Sequence, residues 1–332
     1  MRERWGRGAE ALALTPSELT RLVQPAFPGQ SVTTSELASG GLANTNIRLE
    51  LSAHPRPVLL RLYSRDSNLD TAPMPEVAAK EAALHRLLAQ KLPVPRVIFA
   101  APDNPVTGHA YMLRDWSYGQ RLEVVAQKQT PAVLVELARE TGTVLAGIHR
   151  VTFPESGFLD GQLSVVPFPP GIGEGLPELL ETLLGERGKE RLGLELARAL
   201  MAFAEREPNL GASWPGPPSL THGDFGGSNI LVCIDELGAR VEAVIDWEFA
   251  LSASPMMDLG NLLRPPLGEL PGFEEAVANG YRAAGGVLPD DWRRLTLYNG
   301  LADWASFLGR PRINDTLVED ARRMISRTLE NW

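Results

Sequence analysis

Asp224, Asn229 and Asp246 stand in the runs Leu220-Thr221-His222-Gly223-Asp224-Phe225-Gly226-Gly227-Ser228-Asn229 and Val244-Ile245-Asp246-Trp247-Glu248, the second Asp falling 22 residues after the first. Acid, amide and acid are a set of hard oxygen donors. Transfer of a phosphoryl group to a hydroxyl asks for such a set: one carboxylate to orient the acceptor hydroxyl, and two oxygen ligands to hold Mg²⁺ on the phosphates. A hairpin would bring the three together. If Ile230–Ile234 and Arg240–Ile245 pair across Asp235-Glu236-Leu237-Gly238, Asn229 precedes one strand and Asp246 follows the other, so both reach the open end. The plainer alternative is two strands with incidental acids at their ends.

The elements that must carry these residues read as follows. A short helix over 15–28, with Ser17 as its cap, ends near Pro25 and Pro28. Strands follow at 32–37, at 45–51 with period-two alternation, and at 58–63. A helix over 75–91 stops at Pro93 and Pro95. Strands near 96–101 and 110–115 complete a five-stranded antiparallel sheet. Beyond Gly119 the chain reads as mostly helical, over 131–151, 175–208, 273–285, 290–309 and 315–331, interrupted by strand-like runs from Leu220 to Phe249. The expectation is an α+β chain of two lobes, 1–116 and 117–332, with the boundary near Trp116 to Gly119.

The β-rich half adds candidates. Gly40, Gly41 and Asn44 lie between two strands, where small residues let backbone approach a phosphate; a Gly-Gly pair there is otherwise simply a turn. Leu59, Arg61 and Tyr63 share one face of their strand. Glu81, in the next helix, is the natural partner for Arg61, the alternative being a solvated Lys80-Glu81 surface pair.

His-Gly-Asp, four residues, Asn, then Ile-Asp-Trp-Glu resembles the signature of the aminoglycoside phosphotransferase family. The likeness runs from Leu37 to about Leu263 and implies a protein-kinase-like fold with a β-sheet lobe and a larger helical lobe. It implies Asp224 as the catalytic Asp, Asn229 and Asp246 as Mg²⁺ ligands, and His222 as a brace for the loop. Pro255-Met256-Met257-Asp258-Leu259 resembles the segment in which an Asp anchors that loop through backbone N–H groups. Arg61 occupies the place of the kinase lysine that contacts the phosphates; the chain has only four lysines, none in this strand. Ala110 to Trp116 resembles the interlobe hinge, so Asp115 and Trp116 are expected at the purine. Leu145-Ala146-Gly147-Ile148-His149 resembles a helix end of the family, with His149 structural. The family departs at Ser252-Ala253-Ser254-Pro255, where relatives carry Gly-Asp-Pro.

The implied reaction moves the γ-phosphoryl group of ATP or GTP, with Mg²⁺, to a small-molecule hydroxyl, on an antibiotic or a metabolite. A silent nucleotide-binding protein is one alternative. A metal-dependent hydrolase is another, disfavoured because the five histidines form no HxH or HxxxH pair. A net charge of −9 argues against a nucleic-acid partner. No run of about eighteen apolar residues supports a membrane span. Residues 1–14, with three arginines and no apolar signal segment, fit a cytoplasmic enzyme, monomer or homodimer. The single cysteine, Cys233, excludes a disulfide framework and reads as a core thiol. From Pro255 to Trp332, eleven acidic residues face nine basic ones, which gives no cage for a polycation. The aromatic residues there, Phe273, Tyr281, Trp292, Tyr298, Trp304 and Phe307, are expected in the core.

Overall fold

The computed structural model describes residues 11–38, 44–64, 73–172, 175–210, 214–236, 238–311 and 313–332. Helix α1 (Pro16–Val23) opens on a capping box, but its cap is Thr15, whose hydroxyl receives the Glu18 N–H at 3.3 Å while Glu18 accepts the Thr15 N–H at 2.8 Å. Pro16 sits at the first helical position, so Ser17 lies inside the helix and cannot cap it.

Strands β1 (Val32–Leu37), β2 (Thr45–Leu51), β3 (Val58–Leu62), β4 (Val97–Ala101) and β5 (Tyr111–Asp115) form one antiparallel sheet in the order β1-β2-β3-β5-β4. Its outer face (Ile47, Leu49, Val58, Leu60, Leu62, Leu113) packs on Leu19, Leu22 and Val23 of α1. The central strand β3 is buried throughout, so Arg61, on the other face, can stay charged only with partners. That face is covered by α2 (Met74–Leu88): Met74, Val77, Ala78 and Ala82 cluster with Tyr63, Ala110 and Met112. Further along α2, Leu84 and Leu88 join the core of the helical lobe. One helix therefore packs into both lobes.

The second lobe contains α4 (Pro131–His149) packed on α8 (Phe273–Ala283), with α7 (Met256–Leu262), α9 (Trp292–Gly309) and α10 (Asp315–Glu330) beyond. The stretch expected as one helix over 175–208 is two, α5 (Leu176–Leu192) and α6 (Leu194–Arg206), separated by Gly193 at φ 80°, with a further kink at Gly185. These two close a second core with α9 and α10. The short α3 (Leu122–Val125) and β6 (Gln120–Arg121) follow the hinge.

β6 pairs with β10 (Ile230–Asp235), which pairs with β11 (Gly238–Val244). A four-stranded sheet of β8 (Val165–Pro167), β7 (Gly157–Leu159), β12 (Leu251–Ala253) and β9 (Ser219–Thr221) completes the lobe. This lobe is thus less purely helical than the sequence reads. Three-residue strands are too short to display an alternation. Phe273, Tyr281, Trp292, Trp304 and Phe307 are buried, and Tyr298 packs partly buried against two cores. Cys233 is half-buried, because it lies on the open face of β10.

Candidate active site

Between β9 and β10 the chain makes the loop His222–Asn229. Gly223 turns it at φ 76°, where a Cβ would also collide with the Phe249 carbonyl, so both conformation and space demand glycine. Asp258, fully buried on α7, takes the His222 N–H at 2.7 Å and the Gly223 N–H at 3.0 Å. His149 Nε2 donates to the same carboxylate at 3.2 Å, and Tyr281 Oη donates to His149 Nδ1 at 2.8 Å. Burial, then the neighbouring Asp258 charge, pushes the Tyr281 phenol up, which keeps it a donor. Asn261 Nδ2 holds the Gly223 carbonyl at 3.0 Å. His222 Nε2 donates to the Ile245 carbonyl at 2.9 Å and its Nδ1 accepts the Asp224 N–H at 3.3 Å. Both ring nitrogens are committed to backbone groups.

Asn229 Nδ2 donates to the Asp224 backbone carbonyl and to Asp224 Oδ2, each at 2.9 Å. The hairpin register runs from Asp235↔Gly238 to Ile230↔Val244, and the Ile245 N–H extends it to the Asn229 carbonyl at 3.0 Å. Asn229 and the start of the Asp246 turn thus share the open end, as the spacing predicts. Asp246 itself is left-handed, at φ 69°, ψ 61°. A non-glycine residue there costs about 1–3 kcal/mol and is characteristic of working sites.

Arg61 joins the two lobes. Its Nε lies 3.2 Å from Glu81 Oε2, and its Nη2 lies 2.6 Å from Asp246 Oδ1 and 3.2 Å from Glu248 Oε2. Burial works against this charge, but Glu81 and Asp246 outweigh it and raise the Arg61 pKa well above the usual arginine range. Burial alone would raise the Glu81 carboxyl; the Arg61 charge instead holds it far below the usual range. The Tyr63 hydroxyl donates to Glu81 Oε2 at 2.7 Å and its ring lies 5.1 Å from the Arg61 guanidinium carbon. Asn44 Nδ2 donates to Glu248 Oε2 at 2.8 Å. Lys80 is buried too, its Nζ 3.0 Å from the Ala250 carbonyl, so Lys80-Glu81 is no solvated pair.

Tyr63, Glu248 and Lys80 are parts of this cluster that the sequence did not single out. Tyr63 gave a signal in sharing a face with Arg61, and Glu248 in ending the Asp246 run, while Lys80 entered only as half of a surface pair.

Asp115 ends β5 with its side chain 3.1 Å from Arg96 and its N–H on the Arg96 carbonyl. Trp116 lies beneath Arg48, 5.7 Å from ring to guanidinium. Gly40 and Gly41 lie outside the described residues.

Among the described residues no cluster of three His, Cys, Asp or Glu offers itself to a metal. An amide and a carboxylate do. Asn229 spends its N–H donors on Asp224, which aims Oδ1 elsewhere, and Asp246 spends Oδ1 on Arg61. One carboxylate, one amide oxygen and phosphate oxygens make a donor set suited to Mg²⁺, which keeps few protein ligands. Beside it lie a second carboxylate, Asp224, and a buried cation. This arrangement can neutralise phosphate and orient a hydroxyl.

No helix among the described residues is long and apolar enough to cross a membrane. A model of a phosphotransferase enzyme family matches residues 34–298. A search of curated proteins found no match. Among solved structures, aminoglycoside 2'-phosphotransferase-IIIa with GDP is 18% identical, with a TM-score of 0.69 over 96% of this chain and 99% of that one. A thermostable mutant of aminoglycoside phosphotransferase APH(4)-Ia, with ADP and hygromycin B, is 18% identical, with a TM-score of 0.64 over 94% and 98%. At that identity they show the fold, a two-lobed kinase-like one.

Proposed function

The chain belongs to the phosphotransferase enzyme family, and from that premise we propose that it is an Mg²⁺-dependent small-molecule kinase moving the γ-phosphoryl group of ATP or GTP to a hydroxyl. One observation carries the reading: Arg61 on β3 joins Glu81 on α2 to Asp246, beside the Asp224–Asn229 pair. A cation, three acids and an amide from four separate stretches meet in one cleft. Solved structures of this fold include complexes with ADP and hygromycin B, with GDP, and with GDP and kanamycin. Those complexes support a nucleotide donor and a small hydroxylated acceptor.

In this reading residues 1–116 hold the nucleotide and 117–332 supply the loop, the metal site and the acceptor surface. Arg61, fixed by Glu81, neutralises phosphate oxygens, Asn44, Gly40 and Gly41 serve nucleotide binding, and Asp115 and Trp116 lie at the purine. Asn229 and Asp246 would hold Mg²⁺, which when bound would screen phosphate charge. Asp224 orients the acceptor hydroxyl. As the new O–P bond forms and the β–γ bridge breaks, its carboxylate takes the hydroxyl proton and the nucleoside diphosphate leaves. His222 and Asp258 keep the loop in place. The transition state is loose, so positioning and charge neutralisation provide most of the rate.

The test is diphosphate release from Mg²⁺·ATP and Mg²⁺·GTP against pools of aminoglycosides, macrolides, amino alcohols and sugars. One pool should stimulate release, and Asp224→Asn should cut that turnover by about 10²- to 10⁴-fold with nucleotide affinity nearly unchanged. Equal turnover in the mutant would overturn the assignment.

A further inference from the structure

Arg114 is a buried cation whose side chain has no hydrogen-bond or ion-pair partner among the described residues. It lies on β5 opposite Leu59, while Met112 lies opposite Arg61, so it shares the cleft face with Arg61 one step nearer Trp116. Only 5% of it is exposed. Arg61, equally deep, is held by three carboxylates. The Arg114 side chain has no hydrogen bond or ion pair with the described residues, and its Nε is sealed from solvent with nothing to donate to. Burial pushes its pKa down to about 10, with Glu81 only partly opposing. It remains protonated at neutral pH all the same.

A buried guanidinium left unpaired is costly, and the fold does not require one here, since Met112 and Ala110 fill the same face with apolar atoms. The cost is offset if a ligand supplies acceptors. Guanidinium offers five N–H donors in a flat fork and accepts nothing. At the base end of the cleft it therefore discriminates between purines. Adenine presents a 6-amino donor beside N7, donor against donor. Guanine and hypoxanthine present O6 and N7, two adjacent acceptors that fit the fork.

We propose that Arg114 selects the base of the phosphoryl donor, and that this donor is a 6-oxopurine nucleotide. The proposal rests on the nucleotide-donor reading above and names its base.

Calorimetric binding of GDP, IDP, 7-deaza-GDP and ADP to the full chain, wild type, Arg114→Met and Arg114→Lys, tests it. Wild type should bind GDP and IDP about tenfold or more tighter than ADP, the size of a bidentate purine contact. Without N7, 7-deaza-GDP should fall between. Arg114→Met, folded and with Tm unchanged or higher because an unpaired charge is gone, should lose the preference by weakening GDP and IDP alone. Arg114→Lys, still a donor, should keep part of it. Equal GDP and ADP affinity in wild type overturns the proposal. So does a preference that survives Arg114→Met, or an equal loss for every nucleotide, which would put Arg114 on the phosphates. Binding of no nucleotide by wild type would overturn the kinase reading itself, and so stands apart from these.

Discussion

His85 shows how much a single side chain can be decided by its burial. It is fully buried on α2, its Nδ1 donates to the Pro95 carbonyl at 2.7 Å, and its Nε2 faces Glu81 Oε1 at 3.7 Å without a hydrogen bond. Protonating Nε2 would satisfy Glu81, yet burial is the larger effect and, with the Arg114 charge also opposing, lowers the His85 pKa from its ordinary 6.5. The unfolded chain then binds a proton near pH 6.5 that the folded one refuses. The His85 contribution to stability is complete above that pH and is lost as pH falls from 6.5 through the folded value. Thermal melts from pH 7.5 to 5 should decline less steeply for His85→Asn, whose amide can still reach Pro95; parallel slopes would refute this. Composition and spacing single out Arg61 and Glu81, but not their coupling to Tyr63 and His85. Those contacts exist only once β3 and α2 are packed together.

The loop His222–Asn229 works because the elements around it leave it one conformation. β9 and β10 set its ends, α7 offers Asp258, and the Phe249 carbonyl leaves no room above Gly223. Gly223→Ala combines a left-handed φ with a collision against the Phe249 carbonyl. It should cost at least about 1–3 kcal/mol, the usual strain of such a residue, read as a lower urea midpoint with reduced turnover. An unchanged midpoint would mean the loop is held less firmly than these contacts imply. The hairpin of β10 and β11 was legible because alternation, turn residues and flanking acids agreed. β7 and β8 were not, since three-residue strands owe their existence to pairing with each other and β12. The break between α5 and α6 had its signal in Gly193, which the Leu-rich pattern on either side obscured.

At the scale of the molecule, α2 is the joint. Its first half packs under the sheet and its second half enters the helical core, while the Pro93 carbonyl takes the Val244 N–H at 2.8 Å and Lys80 reaches the Ala250 carbonyl at 3.0 Å. Lys80→Met removes the charged tie between α2 and the segment that follows Asp246. Losing a buried, charged hydrogen bond should cost about 1.5–3 kcal/mol and raise the KM for the Mg²⁺-nucleotide more than it lowers kcat. A variant with wild-type stability and KM would show the lobes are joined elsewhere. By itself the sequence determined the antiparallel sheet, the boundaries of most helices and the hairpin that puts Asn229 and Asp246 at one open end, because strand period, breakers and loop spacing are local properties. Only the tertiary structure decided that Arg61 spans Glu81, Asp246 and Glu248, that Lys80 is buried, and that the Arg114 side chain has no partner among the described residues. Charge pairing across the cleft depends on which faces the packing turns inward, and no local pattern records that.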